Sequence, residues 1–229
     1  LLYLQIGAEC SKCYSYYTYQ CDSLMAAPNG DKQWDSFLTE AIGKGLKGKQ
    51  LHNAIPHRRM SATIYKNYPQ GKITVTDFLL GQYYLYEDAL NSQEWNIEND
   101  SMKVVLGHEC QKATCSFRGR KWTAWFALDV PVSDGPLKFC GLPGLIMEVY
   151  DRGKQYYFCI NGMQQVSATP ITFGILDKDF KHFQKTDRKD FLLSKYRYLR
   201  NQNSINEAST GISLGSVDEA LKYDLIERE

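Results

Sequence analysis

Cys110-Gln-Lys-Ala-Thr-Cys-Ser-Phe-Arg-Gly-Arg120-Lys-Trp-Thr-Ala-Trp-Phe-Ala-Leu-Asp-Val130 carries the clearest folding instruction in the chain. With Arg118-Gly119 as a two-residue turn it closes into a hairpin. Phe117 then faces Arg120, Cys115 faces Trp122 and Ala113 faces Ala124. Trp122, Ala124, Phe126, Leu128 and Val130 fall on one side of the second strand; Lys121, Thr123, Trp125, Ala127 and Asp129 fall on the other. The apolar sides of the two strands coincide, and a slip of one residue would destroy the match. Arg118 resists the positive φ of such a turn, which keeps a longer loop open as the alternative. Trp125 stands on the otherwise polar side, which implies a cover there, either a helix or a ligand.

Strand patterns continue on both sides of this hairpin. Upstream, residues 60–65 and 72–76 alternate and are β-branched, and 83–86, 95–97 and 102–106 are shorter versions. Pro69-Gln-Gly71 and Asn99-Asp-Ser101 supply turn signals between them. Downstream, a Pro/Gly-rich stretch from Val130 to Gly144 ends in Pro143-Gly144, which predicts a type II turn with Gly144 supplying φ > 0. Strands follow at 145–150, at 155–160 after a reversal at Asp151–Lys154, and at 171–175. Strands in succession without intervening helices imply antiparallel pairing.

The remaining segments complete the expected architecture. Residues 1–21 read as one or two strands, because Tyr14-Ser-Tyr-Tyr-Thr-Tyr19 alternates aromatic and small side chains. Asp31 is placed to cap a helix over 32–46 with Trp34, Phe37, Leu38, Ala41 and Ile42 on one face. Residues 49–59 read as a basic loop. A helix is expected over 187–200 and another beginning at the capping box Ser216–Glu219, joined by an Asn/Ser/Gly-rich linker over 201–215. The fold class is α+β: mainly antiparallel β, in one curved sheet or half-barrel, with a helix near 32–46 and C-terminal helices. The expected division is a β domain over 1–177 and a helical extension over 178–229.

Composition narrows the function. Among 229 residues, 43% apolar and 23% charged side chains exclude a disordered chain. Twenty-seven basic against 26 acidic residues leave a net charge of +1, which gives no field suited to nucleic acid. No stretch reaches the ~20 apolar residues of a membrane helix. The chain opens Leu1-Leu2-Tyr3-Leu4 and is expected to be the mature form of an exported protein. Glu9 disfavours lipid attachment at Cys10, where processing requires a small preceding residue.

Seven cysteines fit an oxidising compartment. Cys10 and Cys13 form one CxxC without a second pair, and His108, Cys110 and Cys115 make a poor ligand set, so no metal is expected. With an odd number, at least one thiol stays free or pairs between chains, and every pairing of the other six stays open. Cys110 and Cys115 on one flat strand would lie about 17 Å apart, beyond the ~6 Å of a disulfide. Partners on other strands, such as Cys140 and Cys159, are sterically easier.

The ordered string Cys110–Arg120, Trp122-Thr-Ala-Trp125-Phe, Pro131-Val-Ser-Asp-Gly-Pro136, Phe139 and Gly141-Leu142-Pro143-Gly144-Leu145-Ile146 resembles the GLPGLI family of exported bacterial proteins. Leu4-Gln-Ile-Gly7 and Trp95-Asn-Ile97 resemble its outlying motifs. Cys140 and Cys159 depart from the family pattern. The resemblance implies export to the periplasm, the outer membrane or the medium, together with an antiparallel core. The family has no established activity, so no catalytic residue is carried over.

Arg118, Arg120 and Trp125, with Leu142 in the motif loop, are the candidate ligand-binding residues. Two guanidiniums beside an aromatic can clamp an anion; the plainer alternative is that they flank a hairpin end. Loop 131–144 reads either as a ligand lid or as a crossover within the sheet. There is no GxSxG, HExxH or P-loop, so no cofactor and no catalysis are expected. The expected function is a binding or carrier-like module for an amphipathic molecule or a protein partner. A structural component of the cell surface and a thiol- or His-dependent hydrolase are the alternatives.

Overall fold

A computed structural model describes residues 1–167, 169–173, 182–210 and 225–227. The chain divides into two units. The first comprises Leu1–Leu90, Pro136–Lys138 and Gln165–Gln184; the second comprises Asn91–Gly135, Phe139–Gln164 and Lys185–Glu229. The strands are mainly antiparallel, as their succession without intervening helices predicts, and are shared between two sheets.

The first sheet runs β1 (Leu2–Ile6), β2 (Ser11–Ser15), β3 (Thr63–Lys66), β4 (Lys72–Leu79) and β5 (Gln82–Ala89), with the two-residue β11 (Gln184–Lys185) at its edge. Ile64, Val75 and Tyr86 lie side by side across β3, β4 and β5, next to Cys13 of β2, and all four are buried. On the same face the Leu137 amide donates to Cys13 Sγ at 3.3 Å, and Lys138 pairs with Asp88 at 3.2 Å. On the opposite face Phe173 stacks on Tyr68, with centroids 3.7 Å apart. Three helices interrupt the sheet between β2 and β3: α1 (Tyr16–Ala26), α2 (Gly30–Gly43) and α3 (Gly48–Ala54).

Several expectations in this unit are corrected. Tyr14–Tyr19 is not one strand, because Ser15 ends β2 and caps α1, its Oγ accepting from the Thr18 amide at 3.3 Å. The inward residues of α1 are Thr18 and Cys21, at helical spacing, and the tyrosines surround them. α2 starts and ends earlier than 32–46. Asn29 takes the cap position without a side-chain hydrogen bond, and Asp31 sits in the first turn. Trp34, Leu38 and Ala41 turn inward, whereas Phe37 and Ile42 are 43% and 57% exposed. Residues 48–54, within the expected loop, are helical. Residues 171–173 form no strand, and 174–175 lie outside the described residues.

The second sheet is a meander in the order β10-β9-β8-β7-β6. Its strands are β6 (Asn96–Val105), β7 (His108–Phe117), β8 (Arg120–Ala127), β9 (Leu145–Asp151) and β10 (Tyr157–Cys159). The β7–β8 register pairs Phe117 with Arg120, Cys115 with Trp122 and Ala113 with Ala124, as parity predicts. Arg118 (φ 50) and Gly119 (φ 71) form the turn, so the arginine accepts the left-handed backbone. Trp122, Ala124 and Phe126 join Ala113, Cys115, Phe117, Phe139, Leu142, Ile146 and Val149 in the core. Residues 95–97 and 102–106 contribute to one strand and not to two. Asn99-Asp100-Ser101 bulges out of β6 where the pairing jumps from Glu98–Lys112 to Met102–Gln111.

The Pro/Gly loop owes its glycines to specific geometry. Gly144 does not supply the expected positive φ; that conformation falls at Gly141 (φ 89). A Cβ at Gly144 would instead collide with the Ala127 carbonyl oxygen, so this glycine permits the close approach of two backbone segments. α4 (Arg188–Thr210) absorbs residues 201–210 of the expected linker, since no glycine or proline interrupts it before Gly211. Residues 211–215 and the capping box Ser216–Glu219 lie outside the described residues. No helix among the described residues is long and apolar enough to cross a membrane.

None of the seven cysteines is disulfide-bonded. Cys115 faces the core of the second unit, and Cys110 is on the opposite side of the same strand. Cys140 lies against Gln93, and Cys159 is exposed on β10. None of the four expected disulfide partners therefore meets another at bonding distance.

Candidate functional site

The turn of the β7–β8 hairpin delivers Arg118 and Arg120 to one end of the second unit. Asp151 closes β9 opposite Trp122, and the following reversal brings in Gln155 and Tyr156. Arg188 opens α4, and Leu225–Glu227 lie across the group.

Arg120 is the centre of this arrangement and is 5% exposed. Its Nη1 donates to Asp151 Oδ2 at 2.8 Å and to Gln155 Oε1 at 3.0 Å. Asp151 is itself fixed, its Oδ1 accepting from the Tyr156 amide at 3.0 Å. The guanidinium carbon lies 4.7 Å from the Tyr156 ring centroid. The fork is thus oriented from one side by protein groups. Its other edge reads main chain: Nε donates to the Ile226 carbonyl and Nη2 to the Leu225 carbonyl, both at 2.9 Å. Two bonds from one planar donor to consecutive carbonyls grip the main chain where it bends at Ile226.

The flanking groups recognise side chains. Ile226 packs against the hydrophobic core cluster. Arg188 Nη1 donates to Glu227 Oε2 at 3.1 Å, and Arg118 Nε stands 3.9 Å from the same oxygen. Arg118 holds its place despite a backbone conformation that favours glycine or asparagine. Chemically, the site combines main-chain capture, an aliphatic socket and a carboxylate clamp.

The four candidate residues do not form one group. Arg118 and Arg120 converge as described. Trp125 lies on the opposite face of the sheet, where Lys103 Nζ sits 4.9 Å from its ring centroid and 2.5 Å from Glu148 Oε2. The cover inferred for Trp125 is therefore partly the Lys103 ammonium, and not a helix. Leu142 is 1% exposed and belongs to the core, as do Leu145 and Ile146 of the motif. Sequence reasoning missed Asp151, Gln155, Tyr156, Arg188 and Glu227. The available signal for the last two was charge: a +5 excess over 178–200 and an acidic end to the chain.

Cys110 and Cys115 carry little nucleophilic character. Burial pushes Cys115 up to about 12. Cys110 is also raised, by burial first, with opposing smaller effects from the Val105 backbone and Lys103. Both are protonated at neutral pH, and the protonated thiol is a poor nucleophile. Among the described residues, no cluster of three or more His, Cys, Asp or Glu is arranged to hold a metal ion.

Residues 111–148, from β7 into β9, match the model of a family described as a protein of unknown function (Porph_ging). Two crystal structures of PNGF-II, in space groups C2 and P21, are similar over 82% of this chain at 12% identity, with TM-scores of 0.46 and 0.45. The match covers 28% of that chain, so this protein spans little more than a quarter of its length. No curated protein matches.

Proposed function

We propose that this chain is an exported, non-catalytic binding module of the GLPGLI family that captures a short segment of a protein partner at the arginine cluster of its second unit. The observation that carries the reading is the double hydrogen bond from Arg120 to the carbonyls of Leu225 and Ile226. Those acceptors exist in every peptide, so the grip is general. The Ile226 contact and the Arg118–Glu227–Arg188 grouping add a preference for an aliphatic residue followed by an acid. The burial and raised titration of Cys110 and Cys115 support a role in which these two thiols do no covalent chemistry. Export to the periplasm or cell surface rests on the motif string over 110–146.

Peptide-display selection on the full-length protein tests this reading. Enrichment of aliphatic–acidic segments by the Ile226→Asp chain, whose own Leu225–Glu227 contact is spoiled, and loss of that enrichment on adding Arg120→Met are expected. Equal recovery by both proteins contradicts it.

A structural role in cell-surface assembly is the second reading. The edge strand β6 favours it, since Met102 and Val104 are 52% and 66% exposed beside unpaired backbone.

A further inference from the structure

The arginine cluster is occupied in this chain by the chain's own residues. We infer that Leu225-Ile226-Glu227 is a built-in competitor for the site, and that the ligand it stands in for is a peptide presenting an aliphatic residue followed by a carboxylate. The inference rests on the receptor reading above and adds both the ligand class and its regulation.

Two features separate this contact from ordinary intramolecular packing. First, Arg120 is oriented from the protein side by Asp151, Gln155 and Tyr156, through bonds that do not involve Leu225–Glu227. The part of the receptor that orients Arg120 comes from the hairpin and the β9–β10 reversal, at least 69 residues upstream of the segment it holds, and Arg188 of α4 adds the carboxylate contact. Second, what the segment offers is main chain, one aliphatic side chain and one carboxylate, each matched by a different group of the site. That chemistry is transferable to any peptide carrying the same pair of residues.

Occupancy in cis sets the condition for entry. Fourteen residues join Thr210 to Leu225. Joined to the same chain, the segment competes as an intramolecular ligand, at an effective concentration above that of a dilute free peptide. A free peptide of equal intrinsic affinity at micromolar concentration is therefore excluded. A partner enters when it binds more tightly than the internal segment, or when its own contacts draw that segment away.

A fluorescent peptide of sequence Lys-Tyr-Asp-Leu-Ile-Glu-Arg-Glu, matching residues 222–229, tests the inference by anisotropy against the full-length chain. The native protein binds it weakly. Ile226→Asp, which spoils the internal segment, binds it at least tenfold more tightly, and adding Arg120→Met to that variant removes the gain. Glu227→Lys is the milder second variant and moves affinity the same way. Equal, tight binding to the native chain and both variants overturns self-competition and leaves the receptor reading standing. Failure of all of them to bind at millimolar peptide overturns both.

Discussion

Arg120 and Asp151 form an ion pair at 2.8 Å with side chains only 2% and 6% exposed, and the pair points the guanidinium's other edge at two backbone carbonyls. Two charges so deeply placed persist because each is also hydrogen-bonded elsewhere: Arg120 to Gln155, Asp151 to the Tyr156 amide. Removing one partner strands the other. Asp151→Ala is expected to lower unfolding stability by about 3–5 kcal/mol in urea titrations, well above the effect of Glu227→Ala.

Gly144 and Gly141 are predicted to fail for different reasons. Gly144→Ala drives a methyl into the Ala127 carbonyl and separates the motif loop from β8. A loss above about 2 kcal/mol is expected from such overpacking. Gly141→Ala meets no close atom but strains φ 89, for roughly 1–2 kcal/mol. Denaturation midpoints of the two variants give the order.

Arg118 trades backbone comfort for its place beside Glu227. Arg118→Asn relieves the φ of 50 and is expected to stabilise the hairpin by about 1 kcal/mol. The same change weakens retention of the C-terminal segment. Thermal melting and hydrogen exchange of residues 225–227 read the two effects separately.

Cys115 makes stability depend on alkaline pH. Its thiol titrates near 9.0 when exposed and is pushed up to about 12 by burial in the folded state. The folded state therefore holds the proton that the unfolded state gives up above pH 9. The contribution is complete below pH 9 and is lost as pH rises from about 9 to 12. Urea midpoints of the native chain and Cys115→Ala should differ by a constant amount below pH 9, and the native chain should lose its advantage above it.

The second sheet was legible because one strand parity accounts for both the core and the turn. Trp122, Ala124 and Phe126 alternate with Lys121, Thr123 and Trp125, and only one register lets Ala113 and Cys115 share their side. The same parity separates Arg120 from Trp125, since an even and an odd position on one strand face apart. Treating them as one cluster followed their chemistry and overlooked that geometry. The Tyr14–Tyr19 stretch misled because alternation there competes with a helix cap at Ser15, and the cap wins once Thr18 and Cys21 can be buried. The bulge at Asn99–Ser101 has turn composition, and pairing with β7 decides that the chain runs on through it. Glu227 lies 107 positions from Arg120, and no local pattern ties residues so far apart.

A crystal structure of the Ile226→Asp variant with saturating Lys-Tyr-Asp-Leu-Ile-Glu-Arg-Glu peptide addresses the binding claim most directly. The account predicts peptide density on the Arg120 fork, with two consecutive carbonyls on Nε and Nη2 and the acidic side chain between Arg118 and Arg188. An Arg120 edge turned to solvent, or peptide bound elsewhere at saturation, would contradict it.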